Sequence, residues 1–209
     1  MVSKNGCFIV FEGIDGSGKS TQISLLKDHI EEHSINCMTT MEPSNGPIGT
    51  LLRQFLSGRI KGEETTLTAL FAADRLDHLN NPVNGIRKLL EDGIAVISDR
   101  YVFSNYAYQS VSVPLEWIMK CNEMANEIVR PDCHIFIDVA PETAMDRVSK
   151  GRHQTDIYET LDRLTDVRER YLDLIHRMED VENIIIIDGN RPEKEIADDI
   201  WAKVCHYFV

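Results

Sequence analysis

Apolar runs and helical patterns alternate along the whole chain, beginning with Cys7-Phe8-Ile9-Val10-Phe11 and a following helix whose apolar positions are Ile23, Leu25, Leu26 and Ile30. Short continuous apolar runs suit strands buried on both faces, and their alternation with helices is the pattern of a parallel sheet joined by helical crossovers. The reading predicts strands at 7–12, 36–41, 94–98, 133–138 and 184–187. It predicts helices at 19–33, 47–57, 65–91 with a break at Asn81-Pro82, 103–129, 141–150, 157–179 and 192–207. The expected fold class is α/β: a five-stranded parallel sheet flanked by helices, forming one domain over residues 1–209. Nothing repeats internally and no linker divides the chain, although 58–64 and 150–156 are polar loops. The helix from Ile157 carries apolar residues at 161, 164, 167, 171, 174, 175 and 178, a stripe that packing alone explains. Asp162, Arg163, Asp166 and Arg168 on its other face read as a solvated surface.

The junction between the first strand and first helix is Gly13-Ile14-Asp15-Gly16-Ser17-Gly18-Lys19-Ser20. This fits G-x-x-x-x-G-K-[ST], which carries meaning where a strand enters and a helix leaves it. Backbone N–H groups at the positive end of that helix would bind a polyphosphate, which the glycines let approach; Lys19 would reach its terminal phosphates, and Ser20 would ligate Mg²⁺. A glycine-rich turn before a helix is the bland alternative, and the strand and helix on its flanks weigh against it.

Open α/β sheets bind ligands at the carboxyl ends of their strands, and polar residues gather there. Glu42 to Pro47 follows the second strand and hands over to a helix bearing Arg53; Asp99-Arg100-Tyr101 follows the third, with Ser104, Asn105 and Tyr108 at helical spacing. Asp99 stands where an acidic residue holds Mg²⁺ in loop-type nucleotide enzymes, unless it is a plain turn residue. Arg100 offers a planar fork for a phosphate, or a surface ion pair. Phe71, Arg75 and His78 share one helix face, where a ring and a guanidinium could stack on a base and bond its edge; equally, Phe71 could be core and Arg75 could pair with Asp74 or Asp77. Asp15 is awkward inside an anion-binding loop unless a metal or a sugar hydroxyl faces it, which hints at an acceptor sugar.

Composition narrows the partners. With a net charge of -12, a nucleic-acid polymer is not expected, so Arg53, Arg75, Arg100, Arg147 and Arg152 are local tools. No apolar run approaches the roughly eighteen residues of a membrane span and no signal peptide is read at the start, so the expected location is cytoplasmic. Five scattered cysteines without a C-x-x-C pair make disulfides and zinc unexpected, and Cys7, Cys37 and Cys133 read as core.

FEGIDGSGKSTQ, the Glu42-Pro43 turn, FAADRLDHL, DRYVFSNYAYQ and RPDCHIFIDV together make the chain resemble the thymidylate kinases, a family of P-loop nucleoside monophosphate kinases, from Phe8 to about Glu159. The resemblance implies transfer of the γ-phosphoryl of ATP to dTMP with Mg²⁺, in a homodimer whose subunits carry a short mobile lid at about 147–157. It implies that Gly13, Ile14, Asp15, Gly16, Ser17, Gly18, Lys19, Ser20, Thr21 and Arg147 bind ATP, and that Ser20 and Asp99 hold the metal. On the acceptor side it implies Arg53 and Arg100 on the dTMP phosphate, Phe71 stacked on thymine and Arg75 at its carbonyl edge. It also implies Asp15 facing the sugar and metal, Ser104, Asn105 and Gln109 lining the site, and Tyr108 closing over the deoxyribose. Lys19, Arg100, Asp15 and Arg152 would carry catalysis.

Three features depart from the family pattern: Met41 and Leu76 stand where many members carry arginine, and the lid holds no arginines besides Arg147 and Arg152. A kinase of another nucleoside monophosphate or of a deoxynucleoside, and a nucleotide-binding regulator without strong catalysis, remain the alternatives. A GTPase is disfavoured because no Asn-Lys-x-Asp signature occurs.

Overall fold

Five strands, β1 (Phe8–Glu12), β2 (Cys37–Met41), β3 (Ala95–Asp99), β4 (Cys133–Asp138) and β5 (Ile184–Asp188), form one parallel sheet in the order β2-β3-β1-β4-β5. The structure is a computed structural model that describes residues 6–151 and 160–208. Burial follows position in the sheet: every residue of central β1 is buried, whereas β2 and β5 at the edges are mixed. This is why the run Phe8 to Phe11 is uninterruptedly apolar while β2 reads Cys-Met-Thr-Thr-Met. Each such buried side chain contributes about 1.5–3 kcal/mol relative to exposure.

The helices are α1 (Lys19–Glu32), α2 (Pro47–Leu56), α3 (Glu64–Asn80), α4 (Ile86–Glu91), α5 (Val102–Gln109), α6 (Leu115–Ile128), α7 (Pro141–Gly151), α8 (Leu161–Met178) and α9 (Glu193–Val204). The break expected near Asn81-Pro82 separates α3 from α4. The single helix expected over 103–129 is instead two, because Pro114 supplies no N–H and pushes the preceding residue out of the helical region. The last turn of α5 closes through Ser112 and Val113, whose N–H groups donate to the Gln109 carbonyl at 3.0 and 2.9 Å. The first residues of the helix expected at 157–179 lie outside the described residues, and Thr160 caps α8 by accepting from the Arg163 N–H. Cys133 is buried, but Cys7 and Cys37 are only half-buried at the margin of the core.

Sheet register sets the positions of the polar groups. Asp99 is level with Phe11 on one side and Met41 on the other, so the residues after β1, β2 and β3 emerge together at one edge. The loop after β1 is pressed against α7, since a Cβ at Gly16 would lie 2.3 Å from the Ala144 carbonyl oxygen, and Gly16 also has φ +78°. Only glycine meets both conditions.

Candidate active site

The loop between β1 and α1 floors a cleft of about 750 Å³. Asp15 and residues 16–21 line it together with Asp99, Arg100, Arg147, Arg191 and Glu193. Gly13 and Ile14 form its support instead: both carbonyls accept from Lys19 Nζ at 3.1 Å, which folds the buried ammonium back over the loop. Burial and the nearby Arg100 charge lower the Lys19 pKa to about 8. Arg147 reaches across from α7 and donates to the carbonyls of Ser17 and Gly189, at 3.4 and 3.0 Å. Ser20 Oγ donates to Asp99 Oδ2 at 3.2 Å, while Asp99 Oδ1 is buried with no hydrogen-bond partner among the described residues. A hydroxyl beside an unsatisfied carboxylate oxygen, at a phosphate-type loop, is a donor set suited to a hard divalent cation that completes its shell with water and phosphate.

A second cavity, of about 230 Å³, opens beside the first. Arg53, Phe71, Arg75, Ser104, Asn105, Tyr108 and Gln109 line it, with Met41 and Glu42 from the end of β2. Arg53 is braced by the carbonyls of Pro43 and Ser44, at 3.0 and 2.7 Å. Arg75 pairs with neither Asp74 nor Asp77: it is 1% exposed and meets Glu42 Oε2 at 2.6 Å. Asp74 instead takes the Ser44 N–H at 2.7 Å and the Ser44 hydroxyl at 2.6 Å, which fixes the loop after β2. Arg75 Nε remains without a hydrogen-bond partner among the described residues. His78 shares the helix face but turns to Thr40 and Glu42 rather than to the cavity.

Asp15 and Arg100 line both spaces. Arg100 donates to Asp15 Oδ1 at 2.7 Å, and Tyr108 OH donates to Asp15 Oδ2 at 2.8 Å. An internal guanidinium therefore offsets the Asp15 charge. Burial opposes ionisation of Asp15, but Arg100 and Lys19 outweigh it and hold the carboxyl below its usual range. Arg100 also packs over the Tyr108 ring at 4.9 Å and donates to the Gly13 carbonyl at 3.0 Å. Its backbone has φ +76°, a conformation that costs a non-glycine residue about 1–3 kcal/mol and that clusters at functional sites. The Phe11 carbonyl, accepting from Arg100 N at 2.9 Å, helps hold it there.

Several contributors were not singled out by the sequence reading. Glu12, at the buried end of β1, accepts from Tyr101 N at 3.0 Å, Ser104 Oγ at 2.6 Å and Tyr171 OH at 2.9 Å. Burial raises its pKa against those donors. Arg163 and Arg168, expected on a solvated surface, are tethered: Arg163 donates to the Tyr108 carbonyl at 3.0 Å, and Arg168 forks onto Asp138 at 2.7 and 2.9 Å. The only available signal was the i, i+4 and i, i+8 spacing of Arg163, Val167 and Tyr171, which shows one side of α8 and not what faces it. Arg152 lies outside the described residues.

The geometry is matched by similarity to known proteins. The profile of the thymidylate kinase family matches residues 11–200. A thymidylate kinase of Symbiobacterium thermophilum is 38% identical over 202 residues, covering 92% of this chain and 90% of that protein. Probable thymidylate kinases of Methanobrevibacter smithii and Methanocaldococcus jannaschii are 37% and 38% identical, over 206 and 192 residues. The first of these two alignments covers 96% of this chain and 95% of the relative, the second 90% and 89%.

Proposed function

The chain belongs to the thymidylate kinase family, and we propose that its two adjoining cavities divide the ATP-dependent phosphorylation of dTMP to dTDP between donor and acceptor. ATP takes the larger cleft, with its triphosphate on residues 15–21, which Gly13 and Ile14 support, and its nucleoside end toward Arg147. The acceptor takes the smaller: Arg53 and Arg100 hold the dTMP phosphate, Phe71 stacks on the base, Arg75 bonds its carbonyl edge, and Tyr108 covers the deoxyribose beside Ser104, Asn105 and Gln109. The observation that supports this division is that Asp15 and Arg100 line both spaces, so that one guanidinium would face a phosphoryl group passing between them. Phosphoryl transfer needs positioning and charge stabilisation more than covalent chemistry, and the site offers those two things.

Ser20 and Asp99 would hold Mg²⁺, which would supply charge neutralisation on the phosphates. The protein's own residues do the rest. Lys19 neutralises the terminal phosphates, Arg100 spans donor and acceptor, and Asp15 orients Arg100 and Tyr108. Residues 1–209 act as one kinase domain with a lid at about 147–157, where Arg152 would add a further cation. A cytoplasmic location is part of this proposal; among the described residues no helix is long and apolar enough to cross a membrane. A homodimer would be expected to cover some of the exposed apolar side chains, such as Leu51 on α2 and Trp117 and Met124 on α6, and sedimentation at the monomer mass would refute that pairing.

Coupled assays of ADP release with dTMP, dUMP, dCMP, dGMP, AMP and thymidine test the function. Best turnover on dTMP is expected; a better alternative acceptor, or binding without turnover, would overturn it.

The buried Lys19 gives a pH dependence. Below about pH 8 the ammonium is charged before ATP arrives, and affinity is flat. As pH rises through about 8 the free protein loses that proton, which ATP binding must restore, so affinity falls by up to about tenfold per pH unit. Titrating ATP from pH 7 to 9.5 checks this, and constant affinity across that range would mean that Lys19 stays charged.

A further inference from the structure

Asn122, on α6, is fully buried and belongs to none of the assignments above. Its carboxamide stands between a guanidinium and another carboxamide. Arg75 NH1 donates to Asn122 Oδ1, and Asn122 Nδ2 donates to Asn105 Oδ1 and to the Ile118 carbonyl, both at 2.8 Å. Asn105 Nδ2 then donates to Gln109 Oε1 at 3.0 Å.

The direction of this series is forced. A guanidinium has five donors and no acceptor, so the oxygen of Asn122 must face Arg75. A backbone carbonyl only accepts, so the nitrogen of Asn122 must face Ile118, and the two constraints agree. With Asn122 fixed, Asn105 must turn its oxygen toward it and its nitrogen toward Gln109, whose oxygen faces back. Left alone, each amide could exchange its two ends. Here the orientations of Asn122 and Asn105 follow from the guanidinium and the Ile118 carbonyl together, transmitted through a residue that does not line the cavity.

Arg75, Asn105 and Gln109 all line the smaller cavity. We propose that Asn122 is a specificity-positioning residue, passing the donor-only character of Arg75 to Asn105 and Gln109 and so fixing the hydrogen-bond polarity of the wall that reads the acceptor base. The inference rests on that cavity being the acceptor site. Thymine offers a carbonyl oxygen where cytosine offers an amino group, with N3 a donor in the first and an acceptor in the second. A wall of fixed polarity separates the two bases, because the wrong one leaves buried polar groups unpaired. A wall free to turn would not.

Asn122→Asp tests this, since two accepting oxygens at that position still satisfy Arg75, give up the bond to the Ile118 carbonyl, and require Asn105, and with it Gln109, to reverse. Asn122→Ser is a milder companion whose hydroxyl both donates and accepts and so leaves the orientation unset. The measurements are kcat and KM for dTMP and dCMP, KM for ATP, and thermal melting. The dTMP-to-dCMP ratio of kcat/KM is expected to fall about tenfold or more in Asn122→Asp and about threefold in Asn122→Ser, through the KM of the acceptor, with the ATP KM within about twofold. An unchanged ratio in a folded variant, including one with uniformly lower kcat, overturns the inference; should Asn122→Asp not fold, Asn122→Ser decides. An unsubstituted enzyme with no preference for dTMP would overturn the acceptor-site reading itself, whereas a selective parent with equally selective variants overturns the relay alone.

Discussion

Replacing Arg100 by alanine is expected to lower kcat about a thousandfold while leaving the ATP KM within a few-fold, because the proposed place of the guanidinium, which lines both cavities, is where a phosphoryl group would cross between them. Two losses combine. The planar fork proposed to span donor and acceptor disappears, and Asp15, now held by a 2.7 Å pair to Arg100, loses its closest cation and keeps only the more distant Lys19. Tyr108 would still donate to Asp15 at 2.8 Å, but a neutral hydroxyl cannot replace a charge. Arg100→Lys restores the charge without the fork and should remain about a hundredfold down, since a point charge cannot serve Asp15, Ser104 and a phosphate together. Steady-state kinetics with both substrates varied decide this, and a kcat within tenfold of the parent for the alanine variant would remove Arg100 from the transferring centre.

Arg75→Ala should produce the second large effect, on two separate properties. Breaking a buried pair leaves Glu42 without its cation and should cost about 3–5 kcal/mol, or on the order of 10 °C in melting temperature for a chain of this size. Affinity for dTMP should fall about 10- to 100-fold, the range for a lost charge-assisted hydrogen bond, with the ATP KM unchanged. The double variant Arg75→Ala with Glu42→Gln separates the two: neutralising the orphaned carboxylate should recover much of the stability and none of the dTMP affinity. Equal weakening of both substrates, or recovery of dTMP affinity in the double variant, would contradict a role for Arg75 at the base.

The two substitutions also mark how far a one-dimensional reading reaches. The strand, the phosphate-type loop and the helix after it are contiguous, so residues 8–32 announce both their fold and their chemistry through local spacing alone. Phe71 with Arg75, and Arg100 with Ser104 and Tyr108, were legible because a helix brings residues three to four apart onto one face. The same rule was too coarse at His78, which shares that face yet serves Glu42, and at Pro114, whose effect on the helix around it went unread.

What the sequence determined by itself was therefore the order of elements, the parallel sheet and the residues that gather at its carboxyl edge, because periodicity and local turn chemistry act over a few residues. What only the tertiary structure decided was who satisfies whom. Tyr171 meets Glu12 across 159 residues of chain, Asp15 meets Arg100 across 85, and Asn122 meets Arg75 across 47. On their own stretches these residues look like a strand end, an oddity in a loop, a member of a packing stripe and a polar residue in an amphipathic helix. Buried charges and amides must find partners, and which partners they find depends on the register of the sheet and the packing of helices upon it.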